Sequence, residues 1–221
     1  MPFVNARSLG YTLGMQVVYS GGFDKRFSPS EQASVLYAYQ NGVRAYLAQG
    51  KQVAFVTLAK PDSYFTERLR TAYGGEVHII GEQNLSRVSW STYGCIFLLG
   101  GNALKLHRGL KVSGFALAAL KPDVLLIGDS SGAFVLASHY YDSSSETREQ
   151  VTFYEALNPA ARLIVIAHAD NPVYVNPALV ARVEAFAVER SLRVLKLKEN
   201  EVRLLASDGE FVSVTAAELI T

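Results

Sequence analysis

Ser130 lies in Gly128-Asp129-Ser130-Ser131-Gly132-Ala133, between the apolar runs Val124–Ile127 and Phe134–Ala137. A serine where a buried strand turns sharply into a helix, with glycine two positions before and after it, has the spacing of a nucleophile elbow. Such a turn holds the serine in a strained backbone conformation with little room for a neighbouring β-carbon, which is the reason for the glycines. Its Oγ is lifted above the sheet. The Ser130–Ser131 peptide region then lies at a helix N-terminus, where free N–H groups can face a developing oxyanion. Nucleophilic hydrolysis is the chemistry such a unit performs. Taken alone, G-x-S-x-G is equally an ordinary β-to-α turn, because glycine and serine are common turn residues.

A serine hydroxyl needs a base to take its proton, and histidine titrates near neutrality. Four histidines are present. His78 falls inside a strand-like run, His107 follows Gly100-Gly101, and His139 is expected on the helix that leaves the elbow. His168 ends the run Leu163–Ala167, so it is expected to emerge at the carboxyl edge of the sheet where Ser130 also emerges, and that shared edge makes it the best base. An acid must then hold the imidazole in one tautomer and stabilise the imidazolium. Asp142, Glu146, Glu149 and Glu155 lie between Ser130 and His168, while Asp170, Glu184, Glu189, Glu199 and Glu201 follow. Counting by twos puts Glu199 on the same face as Leu195 and Leu197. It is equally a solvated turn acid beside Lys196, Lys198 and Glu201, and spacing alone leaves the choice open.

These side chains need elements to position them. Short apolar runs recur at Met15–Tyr19, Gln52–Leu58, Glu76–Ile80, Cys95–Leu99, Val124–Ile127 and Arg162–Ala167. Between them lie segments with helical spacing, such as Glu31–Gln49, where Val35, Leu36, Tyr39, Val43, Tyr46 and Leu47 form a stripe closed by Gly50. Tyr37, Tyr39 and Tyr46 read as packing residues on that helix. Strands that are continuously apolar are covered on both faces, which predicts an α/β fold: an open, mostly parallel sheet with helices on both faces. The tail from Leu192 alternates through Val194, Leu195, Leu197, Val202 and Leu204, then turns at Ser207-Asp208-Gly209 into Phe211–Val214, predicting antiparallel C-terminal edge strands. Tyr140-Tyr141-Asp142, with the polar run Ser143–Glu149, reads as a loop that either faces substrate or is a solvated connection.

Composition bounds the rest. The 221 residues fit one domain, 1–221, and 49% hydrophobic content supplies a core without any apolar stretch of the roughly 18 residues that cross a bilayer. A net charge of +1 with scattered basic residues argues against a nucleic-acid partner. The single cysteine, Cys95, excludes an internal disulfide and a cysteine-based zinc framework. Together with an N-terminus lacking the pattern of a secretory signal, it predicts a reducing cytoplasm. Neither a metal nor another cofactor is expected, and the oligomeric state stays open, a homodimer included.

Two segments in combination, Ile96-Phe97-Leu98-Leu99-Gly100-Gly101-Asn102 and the Ser130 elbow, resemble the dipeptidase E and cyanophycinase family of serine peptidases. That family carries a G-G-N loop followed by a G-x-S-A-G-A elbow. Phe153-Tyr154-Glu155-Ala156-Leu157 is similar to the segment before its histidine strand, and Leu197-Lys198-Glu199-Asn200 to its I-D-E-N motif. The resemblance spans about Met15 to Val214, with 38 residues from Ser130 to His168 and 31 from His168 to Glu199. It implies a class I glutamine amidotransferase-like fold, with Ser130 as nucleophile, His168 as general base and Glu199 as orienting acid. It also implies an oxyanion hole from the N–H groups of Gly101 and Ser131, and a small peptide as substrate. Asn102, Asp129 and Asp170 flank these groups as candidate substrate-binding residues.

The chain departs from the family pattern in three places. Ser131 stands where the family has alanine, and Ile166-Ala167-His168 replaces N-P-H. Ala169–Tyr174 lacks the arginines with which family members hold acidic side chains, so aspartyl specificity is not expected. A catalytically silent member that uses the crevice expected beyond the carboxyl ends of the strands for binding is the main alternative. An α/β-hydrolase esterase is weaker, because its order is serine, acid, histidine, and the only acids between Ser130 and His168, the last histidine, are crowded within about 25 residues of the serine.

Overall fold

The structure, a computed structural model, describes residues 15–22, 41–61, 63–143, 150–206 and 209–214. The first part of the helix expected over 31–49, with Tyr37 and Tyr39, lies outside these residues, as do Glu146, Glu149, Ser207 and Asp208. In chain order the first elements are β1 (Gln16–Ser20), α1 (residues 41–48), β2 (Gln52–Val56), α2 (Ser63–Tyr73), β3 (His78–Ile80) and β4 (Tyr93–Leu98). Next come α3 (Ala103–Val112), β5 (Leu125–Asp129), α4 (Ser131–Val135), β6 (His139–Asp142), β7 (Thr152–Glu155) and β8 (Leu163–Ile166). The last are α5 (Pro177–Glu189), β9 (Arg193–Lys196), β10 (Val202–Leu205) and β11 (Phe211–Ser213).

The fold is α/β with a mostly parallel seven-stranded sheet, ordered β11-β10-β1-β5-β4-β2-β3. The five strands from β1 to β3 run parallel, and β10 and β11 close the other edge antiparallel. Period-2 alternation sends Val17, Tyr19, Ala54, Val56, Ile96, Leu98 and Leu126 into one apolar cluster, with Leu106 and Leu110 of α3. Val18, Val53, Phe55, Cys95, Phe97, Leu125 and Ile127 enter another, with Val43 of α1 and Tyr73 of α2. Burial on both faces explains the continuous apolar runs.

The run Leu163–Ala167 does not join this sheet. It forms β8 in a second, four-stranded sheet ordered β7-β6-β8-β9, parallel to β6 and β9. Leu163 and Val165 pack into the cluster beneath the main sheet, while Ile164 and Ile166 pack against α5. Asn176 caps α5 by accepting the Leu179 N–H at 2.8 Å, and Pro177 occupies its first turn.

Three other expectations are corrected. His139 is not on the helix after the elbow, because α4 ends at Val135 and the chain enters β6. Ser138 fixes that switch, its Oγ accepting from Leu163 N and donating to Leu163 O. Tyr140-Tyr141-Asp142 is a strand rather than a loop, with both tyrosines buried and Tyr140 stacked on Tyr154 of β7. The alternating tail is also split between sheets: β9 pairs with β8, and only β10 and β11 form the edge hairpin.

Candidate active site

The carboxyl end of β1 aligns the site. Ser20, Gly21 and Gly22 present successive carbonyls that accept from Ser130 N at 3.0 Å, His168 N at 3.0 Å and Asn200 N at 2.7 Å. One short stretch of backbone thereby sets the spacing of three loops distant in sequence. Close approach requires glycine here: a β-carbon on Gly21 would lie 1.9 Å from the Lys198 carbonyl oxygen, and one on Gly22 would lie 2.3 Å from His168 Cε1. Tyr19-Ser20-Gly21-Gly22 ends an apolar run in the sequence, and its paired glycines are the signal that could have marked it.

Ser130 follows β5 with φ +52° and ψ −108°, a conformation that a non-glycine residue adopts at a cost. A β-carbon on Gly128 would lie 2.5 Å from the Gly132 backbone, and one on Gly132 would lie 2.0 Å from Leu98 O, so the flanking glycines are needed for the elbow to form. His168, also at positive φ (+53°), leaves β8 through a turn in which its carbonyl accepts from Asn171 N at 2.9 Å.

Ser130 Oγ and His168 Nε2 are 3.0 Å apart, and His168 Nδ1 lies 2.7 Å from Glu199 Oε1. The Glu199 side chain is only 1% exposed. Asn171 Nδ2 donates to the same Oε1 at 2.8 Å, so two donors converge on one buried carboxylate oxygen and fix its rotamer. Glu199 sits in the turn after β9 rather than on a strand, facing inward as the period-2 count expects. Asp170 Oδ1 accepts the Glu199 N–H at 2.9 Å and so holds that turn. The Tyr174 ring covers the imidazole with centroids 4.4 Å apart. Asn171 and Tyr174 are the partners that sequence reasoning missed, because their roles depend on a turn held by backbone bonds from His168 to Gly21 and from Ala169 to Leu197.

The other candidates have specific places. Asn102 caps α3, its Oδ1 accepting from Lys105 N at 2.8 Å. Ser131, the first residue of α4, puts its N–H at the helix terminus, where no intrahelical acceptor exists. Gly101, at φ +149°, packs so closely on Ala59 that a β-carbon would lie 2.3 Å from the Ala59 oxygen. Its N–H donates to Ser131 Oγ at 3.2 Å. Asp129 accepts from Ser20 Oγ at 2.9 Å.

Burial pushes the Asp129 carboxyl up to about 6, against the opposing pull of the Ser20 hydroxyl, the His168 charge and the Gly100 N–H. The fold therefore favours the protonated acid, and ionisation costs the folded state more than the unfolded one. Relative to Asp129→Asn, the wild type is expected to lose about 2 to 3 kcal/mol of stability as pH rises from 3.8 through about 6, levelling off above that. Urea titrations of both proteins across that range check this, and a flat difference refutes it.

The remaining histidines serve elsewhere. His78 pairs with Tyr93, His107 with Tyr140, and His139 with Ser138. A cleft of about 250 Å³ beyond β2 and β3 is lined by Thr57, Thr66, Arg70 and Asn84, and includes none of Ser130, His168 and Glu199. Among the described residues, no group of His, Cys, Asp and Glu side chains is gathered to hold a metal ion. Among the same residues, no helix is long and apolar enough to cross a membrane. No family model and no curated protein matches the chain.

Proposed function

We propose that the chain is a serine peptidase that hydrolyses small peptides through Ser130, His168 and Glu199, in the manner of the dipeptidase E and cyanophycinase proteins it resembles. The observation that carries this reading is the unbroken relay from Ser130 Oγ through both ring nitrogens of His168 to a buried carboxylate. Ser130 Oγ attacks the peptide carbonyl while His168 Nε2 takes its proton. Glu199 accepts the Nδ1–H bond throughout and stabilises the imidazolium formed. The oxyanion develops beside the N–H groups of Ser131 and Gly101. Collapse expels the amine, which takes the proton back from His168, and a water deprotonated by His168 then releases the acyl group.

The described part of the site argues for uncharged rather than acidic substrate side chains. Asp129, Asp170 and Glu199 surround His168, and Val173 and Tyr174 expose apolar surface at its rim. The single buried cysteine fits a reducing cytoplasm as the working compartment. Fluorophosphonate labelling, located by mass spectrometry, tests the reading together with hydrolysis of a dipeptide and tripeptide panel. Modification at Ser130 with peptide turnover supports it; absence of both replaces it with the binding-protein alternative.

A further inference from the structure

The loop after β4 has every successive N–H engaged. Leu99 N donates to Val56 O at 3.1 Å, Gly100 N to the Asp129 carboxylate, and Asn102 N to Ala59 O at 2.7 Å. Gly101 N is the exception in kind, since its acceptor is a neutral side-chain hydroxyl, Ser131 Oγ. That hydroxyl in turn donates to the Gly101 carbonyl, so Ser131 bridges both ends of the residue. The loop abuts the nucleophile: a β-carbon on Gly100 would lie 3.0 Å from Ser130 Cβ. Ser131 itself is buried and directly follows Ser130 in the chain.

We propose that the Ser131 hydroxyl is a built-in substitute for the oxyanion, occupying the Gly101 amide at rest and yielding it as charge develops on the substrate. This rests on the peptidase reading. A tetrahedral oxyanion forms a charge-assisted hydrogen bond, roughly twice as strong as one to a neutral hydroxyl, so it displaces Ser131 Oγ from Gly101 N. The displaced hydroxyl keeps its bond to the Gly101 carbonyl by turning on χ1. Because displacement accompanies charge development, its cost falls on the acylation step rather than on substrate binding. Ser131 is thus a positioning residue acting through Gly101.

Alanine at position 131 removes the competing acceptor and retains the backbone N–H. Ser131→Ala is expected to raise kcat and the rate of fluorophosphonate acylation at Ser130 about 3- to 10-fold with KM unchanged. Ser131→Cys, a weaker acceptor, falls between the two. Independently of activity, the Gly101 amide proton should exchange faster and shift upfield in the NMR spectrum of Ser131→Ala. An unchanged Gly101 resonance, or labelling of both proteins with the variant equal or slower, overturns this inference alone. No labelling and no peptide turnover in either protein overturns the peptidase reading and the inference together.

Discussion

On the proposed peptidase reading, replacing Ser130 with alanine is expected to lower kcat for small-peptide hydrolysis by about 10⁴-fold or more, while the thermal midpoint moves by no more than about 2 °C. Both halves follow from where the hydroxyl sits. Its hydrogen bond is to His168 Nε2, at 3.0 Å, and in the proposed mechanism that bond is the one through which the proton leaves. The backbone bonds that build the elbow, Ser130 N to Ser20 O and Phe134 N to Ser130 O, survive the change. Alanine keeps the β-carbon, so the strain of φ +52° is the same in both proteins. Calorimetry beside a peptide-turnover assay checks the pair of outcomes. Wild-type turnover in the variant would exclude Ser130 as nucleophile, and a large drop in midpoint would assign the hydroxyl to packing.

The elbow was legible because its determinants are local. Gly128 and Gly132 are required by contacts within the turn and with β4, and the apolar run before it fixes the strand that carries it. His168 was legible for a related reason: a histidine that ends a strand must emerge at the strand's carboxyl edge. Which sheet that strand joins was not. A continuous apolar run reports burial on both faces, and β8 satisfies that between the main sheet's cluster and α5 as well as it would inside the main sheet. His139 was misassigned because Phe134–Ala137 suits a helix as well as a strand, and the switch into β6 is made by Ser138 bonding to Leu163, 25 residues away. The carbonyls of Ser20, Gly21 and Gly22 are invisible to side-chain reasoning altogether, since any residue type supplies a carbonyl. Only the exclusion of β-carbons at 21 and 22 leaves a trace in the sequence.

Glu199→Gln is expected to preserve the fold and cost about 10² to 10⁴ in kcat. In the wild type, His168 Nδ1 and Asn171 Nδ2 both donate to Oε1 of a carboxylate that is almost fully enclosed. A glutamine that keeps its carbonyl oxygen at that point satisfies both donors but no longer places a negative charge against the imidazolium. One that turns its NH₂ toward His168 makes Nδ1 the acceptor and moves the ring proton to Nε2, which then has no capacity to take the Ser130 proton. Either orientation penalises the transition state while leaving side-chain volume unchanged, so circular dichroism and the melting profile stay close to wild type. Asp170→Asn separates charge from scaffolding, because its amide oxygen still accepts the Glu199 N–H and the loss should stay below about tenfold. Asp142→Asn, in β6, and Glu146→Gln should leave turnover near wild type. A silent Glu199→Gln beside a large loss in Asp170→Asn would move the acid role to Asp170 and leave the Ser130–His168 pair standing. If all four substitutions are silent and Ser130 resists fluorophosphonate, the relay does no chemistry, and the binding-protein alternative replaces the peptidase reading.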